Sequence, residues 1–346
     1  MISARYRLAL LAAAPAALLY RRRNALAAGA EYLWGQQADD GGWHSTAYGL
    51  LRSGQSLTAF VLDALLRVDE RTFRPPKQAL QRALGFLQRH TSEEGAVGVI
   101  GEVPDYPNYA TALAVQAYVR ARRDELQPAV RRMTAWLLAQ QFGEANGWSR
   151  EQAAFGGWGM GGEVRRPPYP GHVDLSMTRH VLASLQMAGV PLTDAVYSRA
   201  RVYLERLQNL PGDGGFFFST TEEDTNKAGL DGRRFRSYGT TTADGIRSLR
   251  CCGYTDADPR VTAARAWLEQ AHTGFTAPGF VGEAYRRWPA GLRFYYASAT
   301  AGLFGMTDAI EQQQQADGSW RNEEALVKED DPLIATGFAI QALAVH

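Results

Sequence analysis

Two kinds of helical segment alternate along the chain. In the first, a threonine is followed by a small or variable residue and then by an apolar run that often ends in Ala-Leu or Ser-Leu. Six such openings align without gaps: Leu57-Thr58-Ala59-Phe60, Ala110-Thr111-Ala112-Leu113, Met177-Thr178-Arg179-His180, Thr241-Thr242-Ala243-Asp244, Ala299-Thr300-Ala301-Gly302 and Ala335-Thr336-Gly337-Phe338. Rich in Ala and Leu and poor in charge, these helices are expected to be buried on most sides and to form an inner ring. The second kind carries an apolar stripe opposite a charged one: Lys77 to Arg89, Ala129 to Gln141, Ala195 to Gln208 and Val261 to Gln270, with Ala25 to Gln37 before the first inner helix and the short Asp308 to Gln315 before the last. These are the expected outer ring. Helices in such strict alternation cannot each bury an apolar face alone, so the pattern predicts an all-α (α/α)6 barrel, an α/α toroid of six helix-pair repeats. Residues 25–346 are read as one toroid domain and residues 1–24 as a separate apolar and basic segment.

The connections are patterned too. Outer helices end in glutamine and a glycine-rich turn with an aromatic: Gln36-Gln37 to Gly41-Gly42-Trp43, Gln140-Gln141 to Gly147-Trp148, Gln208 to Gly214-Gly215-Phe216 and Gln313 to Gly318-Ser319-Trp320. Glycine stops the helix and the aromatic packs the corner between repeats. The second repeat, Gln88 to Glu94-Gly95-Ala96, keeps the turn and loses the aromatic. Two connections, Phe142 to Gly171 and Pro211 to Arg236, exceed ordinary loop length and are lid candidates.

Composition narrows the function. With 37 Lys and Arg against 36 Asp and Glu there is no chain-wide basic field, so no nucleic-acid partner is expected. The two cysteines, Cys251 and Cys252, are adjacent, which excludes a disulfide framework and a cysteine-rich zinc site. Near the N-terminus Arg5 and Arg7 precede an apolar run, Leu8 to Leu19, of signal-peptide length, but Arg21-Arg22-Arg23 stands where a cleavable signal would place small residues. Packing on the barrel, membrane contact through residues 8–19 and export all stay open. A cytoplasmic or membrane-peripheral location is the expectation.

The glutamine-ended outer helix, the Asp-Gly-Gly-Trp-like turn and the Thr-opened inner helix together resemble the QW repeats of squalene-hopene cyclases and the repeats of protein prenyltransferase β subunits, from about Ala25 onward. The stretch Gly156-Gly157-Trp158, Tyr169-Pro170 and Val173 to Thr178 is similar to the cyclase segment carrying the Asp-x-Asp-Asp-Thr acid motif. On that match Asp174 takes the place of the first aspartate and Thr178 that of the threonine, while Ser176 and Met177 replace the other two. The middle aspartate delivers the proton in the cyclases, and a serine cannot. In the prenyltransferase comparison Asp174 matches the aspartate zinc ligand, but Ser176 falls where the cysteine ligand belongs. No metal and no cofactor are therefore expected; His172, Asp174 and His180 do not have a recognised ligand spacing.

The resemblance implies that residues two and four before each repeat Thr and two after it face a central cavity. The deeper positions are Phe60, Leu113, His180, Asp244, Gly302 and Phe338; those nearer the mouth are Ser56, Tyr109, Ser176, Thr240, Ser298 and Ile334. Only a few are aromatic. His180 and Asp244 are expected side by side, the carboxylate raising the imidazole's proton affinity for acid or base work with Asp174 one turn above; the alternative is a polar pair that keeps two helices in register. Trp158 and the loop arginines Arg233 and Arg234 are expected to help bind the apolar body and an acidic or phosphorylated head. The function expected is isoprenoid handling, with an apolar small molecule or prenyl diphosphate as partner. A non-catalytic binding or scaffold toroid and a carbohydrate-active (α/α)6 barrel are the alternatives. Oligomeric state is not legible.

Overall fold

The computed structural model describes residues 4–345, with side chains from Tyr20 onward. Among the described residues thirteen α-helices make up the architecture. The inner ring consists of α2 (Gln55–Leu65), α4 (Pro107–Ala121), α6 (Leu175–Met187), α8 (Gly239–Cys251), α11 (Arg293–Thr300) and α13 (Pro332–Leu343). Each packs on the next, and α13 packs back on α2, so the ring is closed. Outside it stand α1 (Ala4–Gly35), α3 (Lys77–Arg89), α5 (Gln127–Ala139), α7 (Ala195–Leu207), α9 (Pro259–Ala271) and the short α12 (Thr307–Glu311). A one-turn helix, α10 (Trp288–Gly291), precedes α11, and the second long connection carries a small hairpin of Leu230–Asp231 with Arg234–Phe235. Every residue of α2 is buried, and its polar side chains are paired inside the protein: Gln55 with Ile100 O, Ser56 with Asp105, Thr58 with the Trp43 N–H and Asp63 with Arg67 and Arg120.

The repeated residues have physical jobs. The hydroxyl of the repeat threonine accepts the corner's backbone N–H: Trp43 to Thr58 at 2.9 Å, Val97 to Thr111 at 2.9 Å, Trp158 to Thr178 at 3.2 Å, Phe216 to Thr242 at 3.1 Å and Trp320 to Thr336 at 2.9 Å. A buried donor that would otherwise be orphaned is thus satisfied inside each repeat. The glutamine staples one repeat to the next. Gln37 donates to Gly41 O and Ala79 O, Gln141 to Gly156 O and Val196 O, Gln208 to Gly214 O and Arg260 O, and Gln314 to Gly318 O and Ala25 O. The last of these closes the ring, because Ala25 lies in α1. The corner glycines need their left-handed φ, from 85° at Gly214 to 101° at Gly95. They also need their missing side chain, since a Cβ at Gly41, Gly95, Gly156, Gly214 or Gly318 would crowd the backbone of the next outer helix.

Three expectations are corrected. The third corner is Gly156-Gly157-Trp158, whereas Gly147-Trp148 lies in an insertion after the third outer helix. In the last corner the stapling residue is Gln314 and not Gln313. In the fifth repeat Thr300 ends α11 instead of opening it. Ala297 stands at the helix position where the other inner helices have threonine, and Tyr295 takes the cavity-facing position expected of Ser298. Tyr295 lines the cavity, while Ser298 instead donates to Gln341 at 2.8 Å. At the N-terminus α1 runs unbroken through residue 24, and the side chains of the apolar run at 8–19 lie outside the described residues. Among the described residues no helix is long and apolar enough to cross a membrane.

Candidate functional site

The inner helices surround a cavity of about 480 Å³, within the range of small-molecule sites. It opens at the N-terminal ends of the inner helices, where the long connections lie. Helix positions contribute the aromatic rings of Phe60, Tyr109, Tyr295 and Phe338. The connections add Tyr106, Phe218, Tyr238 and Trp288, so the wall is far more aromatic than helix positions alone predict. Phe338 packs edge-on against Phe60 with centroids 4.8 Å apart and lies 5.3 Å from Tyr295, giving a continuous π-surface on one side. Tyr106 and Lys328, both lining residues, hold φ of 46° and 67°, a strained setting for side-chain-bearing residues.

Of the predicted residues, Phe60, Tyr109, Ser176, Thr240, Phe338, Asp174, His180 and Asp244 line this cavity. Four others are placed elsewhere. Leu113 is fully buried among helices, and Trp158 fills its corner with its indole N–H on Leu137 O at 2.8 Å. Arg233 and Arg234 sit on the exposed hairpin, where Arg234 donates to Pro211 O at 2.6 Å. The cations at the mouth are Lys227 and Lys328. Lys227 Nζ stands 3.6 Å over the Phe218 ring, and burial pulls its pKa down to about 8 although Asp174 pulls the other way. Lys328 Nζ faces Tyr48 and Tyr106 at 5.7 and 5.9 Å.

The acid–base groups are arranged differently from the expectation. Arg179, on the residue after the repeat threonine, comes between His180 and Asp244. Its Nε lies 3.3 Å from Asp244 Oδ1, and its Nη1 approaches His180 Nδ1 at 3.0 Å. Burial, then Arg179, Arg67 and Arg247, hold the His180 pKa well below the ordinary value, so the imidazole stays neutral. The expected rise in its proton affinity is reversed, first because the ring is buried and then because the residue beside it is a guanidinium. Asp244 instead accepts the Tyr295 hydroxyl, and Tyr295 and Ser176 share a hydrogen bond of 2.7 Å. Burial raises the Asp244 pKa against the opposing pull of Arg179, the Tyr295 bond and Arg247. A hydrogen-bonded chain therefore runs from Asp244 through Tyr295 to Ser176.

Nearer the mouth Asp174 caps α6, its Oδ1 accepting Met177 N–H at 2.7 Å and its Oδ2 lying 2.7 Å from His172 Nε2. The other nitrogen, His172 Nδ1, is 2.6 Å from Glu222 Oε2. Burial alone would lower the His172 pKa, but the two carboxylates outweigh it and raise it to about 9. Considered from the sequence only as a poor metal ligand, His172 is a cationic clamp that ties the two long connections together. Tyr295 was considered only as a stacking aromatic of a sugar cleft, and its place beside Asp244 was missed because its helix register was misread; Arg179 was missed because it points sideways to the next inner helix and not into the centre.

No protein-family model matches the chain, and no curated protein matches it in sequence. Solved structures do. A variant of the type II terpene cyclase MstE from Scytonema, in complex with its substrate geranylgeranyl dihydroxybenzoate, superposes with a TM-score of 0.61 over 94% of this chain and 97% of that one, at 14% identity. A D-mannose isomerase gives 0.56 over 93% and 96% at 12% identity. A glycoside hydrolase family 76 mannosidase from Bacteroides thetaiotaomicron gives 0.55 over 93% and 97%, also at 12%. At such identities the likeness is one of fold: this chain has the α/α barrel that terpene cyclases and these sugar enzymes share.

Proposed function

We propose that this protein binds an isoprenoid-type apolar molecule in its central cavity and exchanges a proton with it through Asp244 and Tyr295, in place of the aspartate motif of the cyclases. The observation that carries the reading is the cavity itself: a space walled by eight aromatic side chains, with a hydrogen-bonded carboxyl, phenol and hydroxyl at its inner end. Aromatic faces suit an unsaturated chain and any positive charge that develops on it. The cavity speaks against a scaffold toroid, which would have a filled centre, and its apolar wall favours an isoprenoid over the open, aromatic-floored cleft with paired carboxylates of a carbohydrate-active barrel. The terpene cyclase among the structural neighbours supports the isoprenoid class.

Asp244 has a raised pKa, which makes it a weaker acid than an ordinary aspartate but one that holds its proton closer to neutral pH. That favours general acid or base work on an oxygen function over protonation of a bare alkene. Native mass spectrometry and lipid extraction of the purified protein, followed by titration with prenols, prenyl diphosphates and squalene, test the reading. A retained or saturably bound isoprenoid is expected. Absence of binding to every member of the series would refute it.

A further inference from the structure

Lysine is rare in this chain. Of its 37 basic residues only three are lysine, Lys77, Lys227 and Lys328, and two of those three line the cavity. A site built only to hold an anion would be served as well by arginine, whose fork matches carboxylate and phosphate and which the chain uses almost everywhere else. What lysine offers and arginine does not is a nitrogen that can shed its proton and attack carbon.

Lys227 is the better placed of the two. Its Nζ lies 3.6 Å over the Phe218 ring, and its one hydrogen bond among the described residues is a long one, to Thr225 O at 3.4 Å. Asp174, the carboxylate whose charge reaches it, is already engaged by the Met177 N–H and by His172. The amine is thus partly buried without an ion-pair partner of its own, the setting that lowers a lysine's proton affinity. Lys328 Nζ stands farther from its rings, 5.7 Å from Tyr48 and 5.9 Å from Tyr106. Among carbon electrophiles an aldehyde asks least of such a site, because its condensation with an amine expels only water and needs no oxidant or reductant. We infer that the cavity takes an apolar aldehyde, its chain against Phe60 and Phe338 and its carbonyl at Lys227, which captures it as an imine. The Lys227 nitrogen adds to the carbonyl carbon, the C–O bond then breaks, and the oxygen leaves as water with the two amine protons, so that a C=N bond remains. The inference rests on the isoprenoid reading for the apolar body and adds the reactive group that body carries.

Incubation of the full chain with farnesal at pH 8, reduction with cyanoborohydride and peptide mapping by mass spectrometry test it, with farnesol titrated in parallel. At that pH the Lys227 amine is about half neutral, against under about 1% for a lysine of ordinary pKa, so its modification is expected to run roughly 10- to 100-fold ahead of that of the exposed Lys77. The Lys227→Arg variant, which keeps the charge, is expected to lose the adduct and to go on binding farnesol. Absence of a Lys227 adduct, modification of Lys77 at an equal rate, or preference for Lys328 would overturn the inference, while saturable farnesol binding alongside any of these would leave the isoprenoid reading standing. Failure of farnesol and farnesal alike to bind would overturn both. The mapping is done on the native protein, so it decides even if Lys227→Arg does not fold.

Discussion

Replacing His172 with Gln should remove one pH-dependent contribution to stability, so that the gap between wild type and variant changes with pH. In the folded protein the imidazole lies between Asp174 Oδ2 at 2.7 Å and Glu222 Oε2 at 2.6 Å, and its pKa stands at about 9 against 6.5 for the ordinary side chain. A folded-state pKa above the unfolded one means the native protein binds the proton more tightly. The stabilisation is then fully present below pH 6.5 and is lost as the pH rises through 9. At about 1.4 kcal/mol per tenfold, the difference amounts to about 3 kcal/mol as an upper figure, reduced in practice because Glu222 is partly exposed. Urea unfolding of both proteins from pH 6 to pH 10 is the assay. Wild type should exceed His172→Gln by about 2 to 3 kcal/mol at pH 6, and the gap should shrink towards the roughly 1 kcal/mol of ordinary hydrogen bonding at pH 10. Groups that titrate alike in the two proteins cancel in the comparison. A gap that stays constant across the range would refute the imidazolium clamp.

Other substitutions test the frame that holds the cavity. Gly156→Ala forces a side chain onto the Arg199 carbonyl at a φ of 89°, and it should cost about 3 kcal/mol or more in chemical denaturation, well above a surface Gly→Ala change. Gln208→Leu removes the hydrogen bonds to Gly214 O and Arg260 O at 2.9 and 2.8 Å and should lower stability by about 1 to 3 kcal/mol; an unchanged melting temperature would deny the staple. Glu329 is fully buried, and burial raises its pKa to about 7 although Phe294 N–H, Tyr295 N–H and the Asn322 amide donate to it. Because that value lies above 4.5, its contribution is present below pH 4.5 and lost as the pH rises through 7. Relative to wild type, Glu329→Gln should therefore gain stability over that window, by about 3 kcal/mol at most, as measured by paired urea titrations.

Much of the frame was legible because it is local and repeated. Glutamine and threonine recur in phase because they satisfy backbone groups at the corners, and glycine recurs because only it fits the left-handed turn against the next outer helix; the pattern survives one degenerate copy such as Gly95-Ala96. The fifth repeat defeated the reading at Thr300. A threonine in phase looks the same whether it opens an inner helix or closes one, and only the packing of Arg293–Thr300 between its neighbours distinguishes the two. The third corner was misplaced for a related reason: Gly147-Trp148 and Gly156-Gly157-Trp158 are both plausible turns, and the choice depends on which glycine meets Arg199 on the next outer helix.

The candidate site was legible in its positions and not in its partners. The resemblance implied that Asp174, Ser176, His180 and Asp244 share one cavity, and all four line it. It could not reveal that Arg179 would stand between His180 and Asp244, that Tyr295 would bridge Asp244 to Ser176, or that Lys227 and Lys328, not Arg233 and Arg234, would face the mouth. Those outcomes depend on sideways contacts between helices far apart in the chain and on the course of long connections. The sequence by itself determined the alternation of helices, the corners and the closure of a toroid, since each follows from short-range hydrogen bonding and amphipathicity. Only the tertiary structure decided which charges meet inside it, because ring closure sets the distance and rotation between neighbouring helices and no spacing along one helix encodes them.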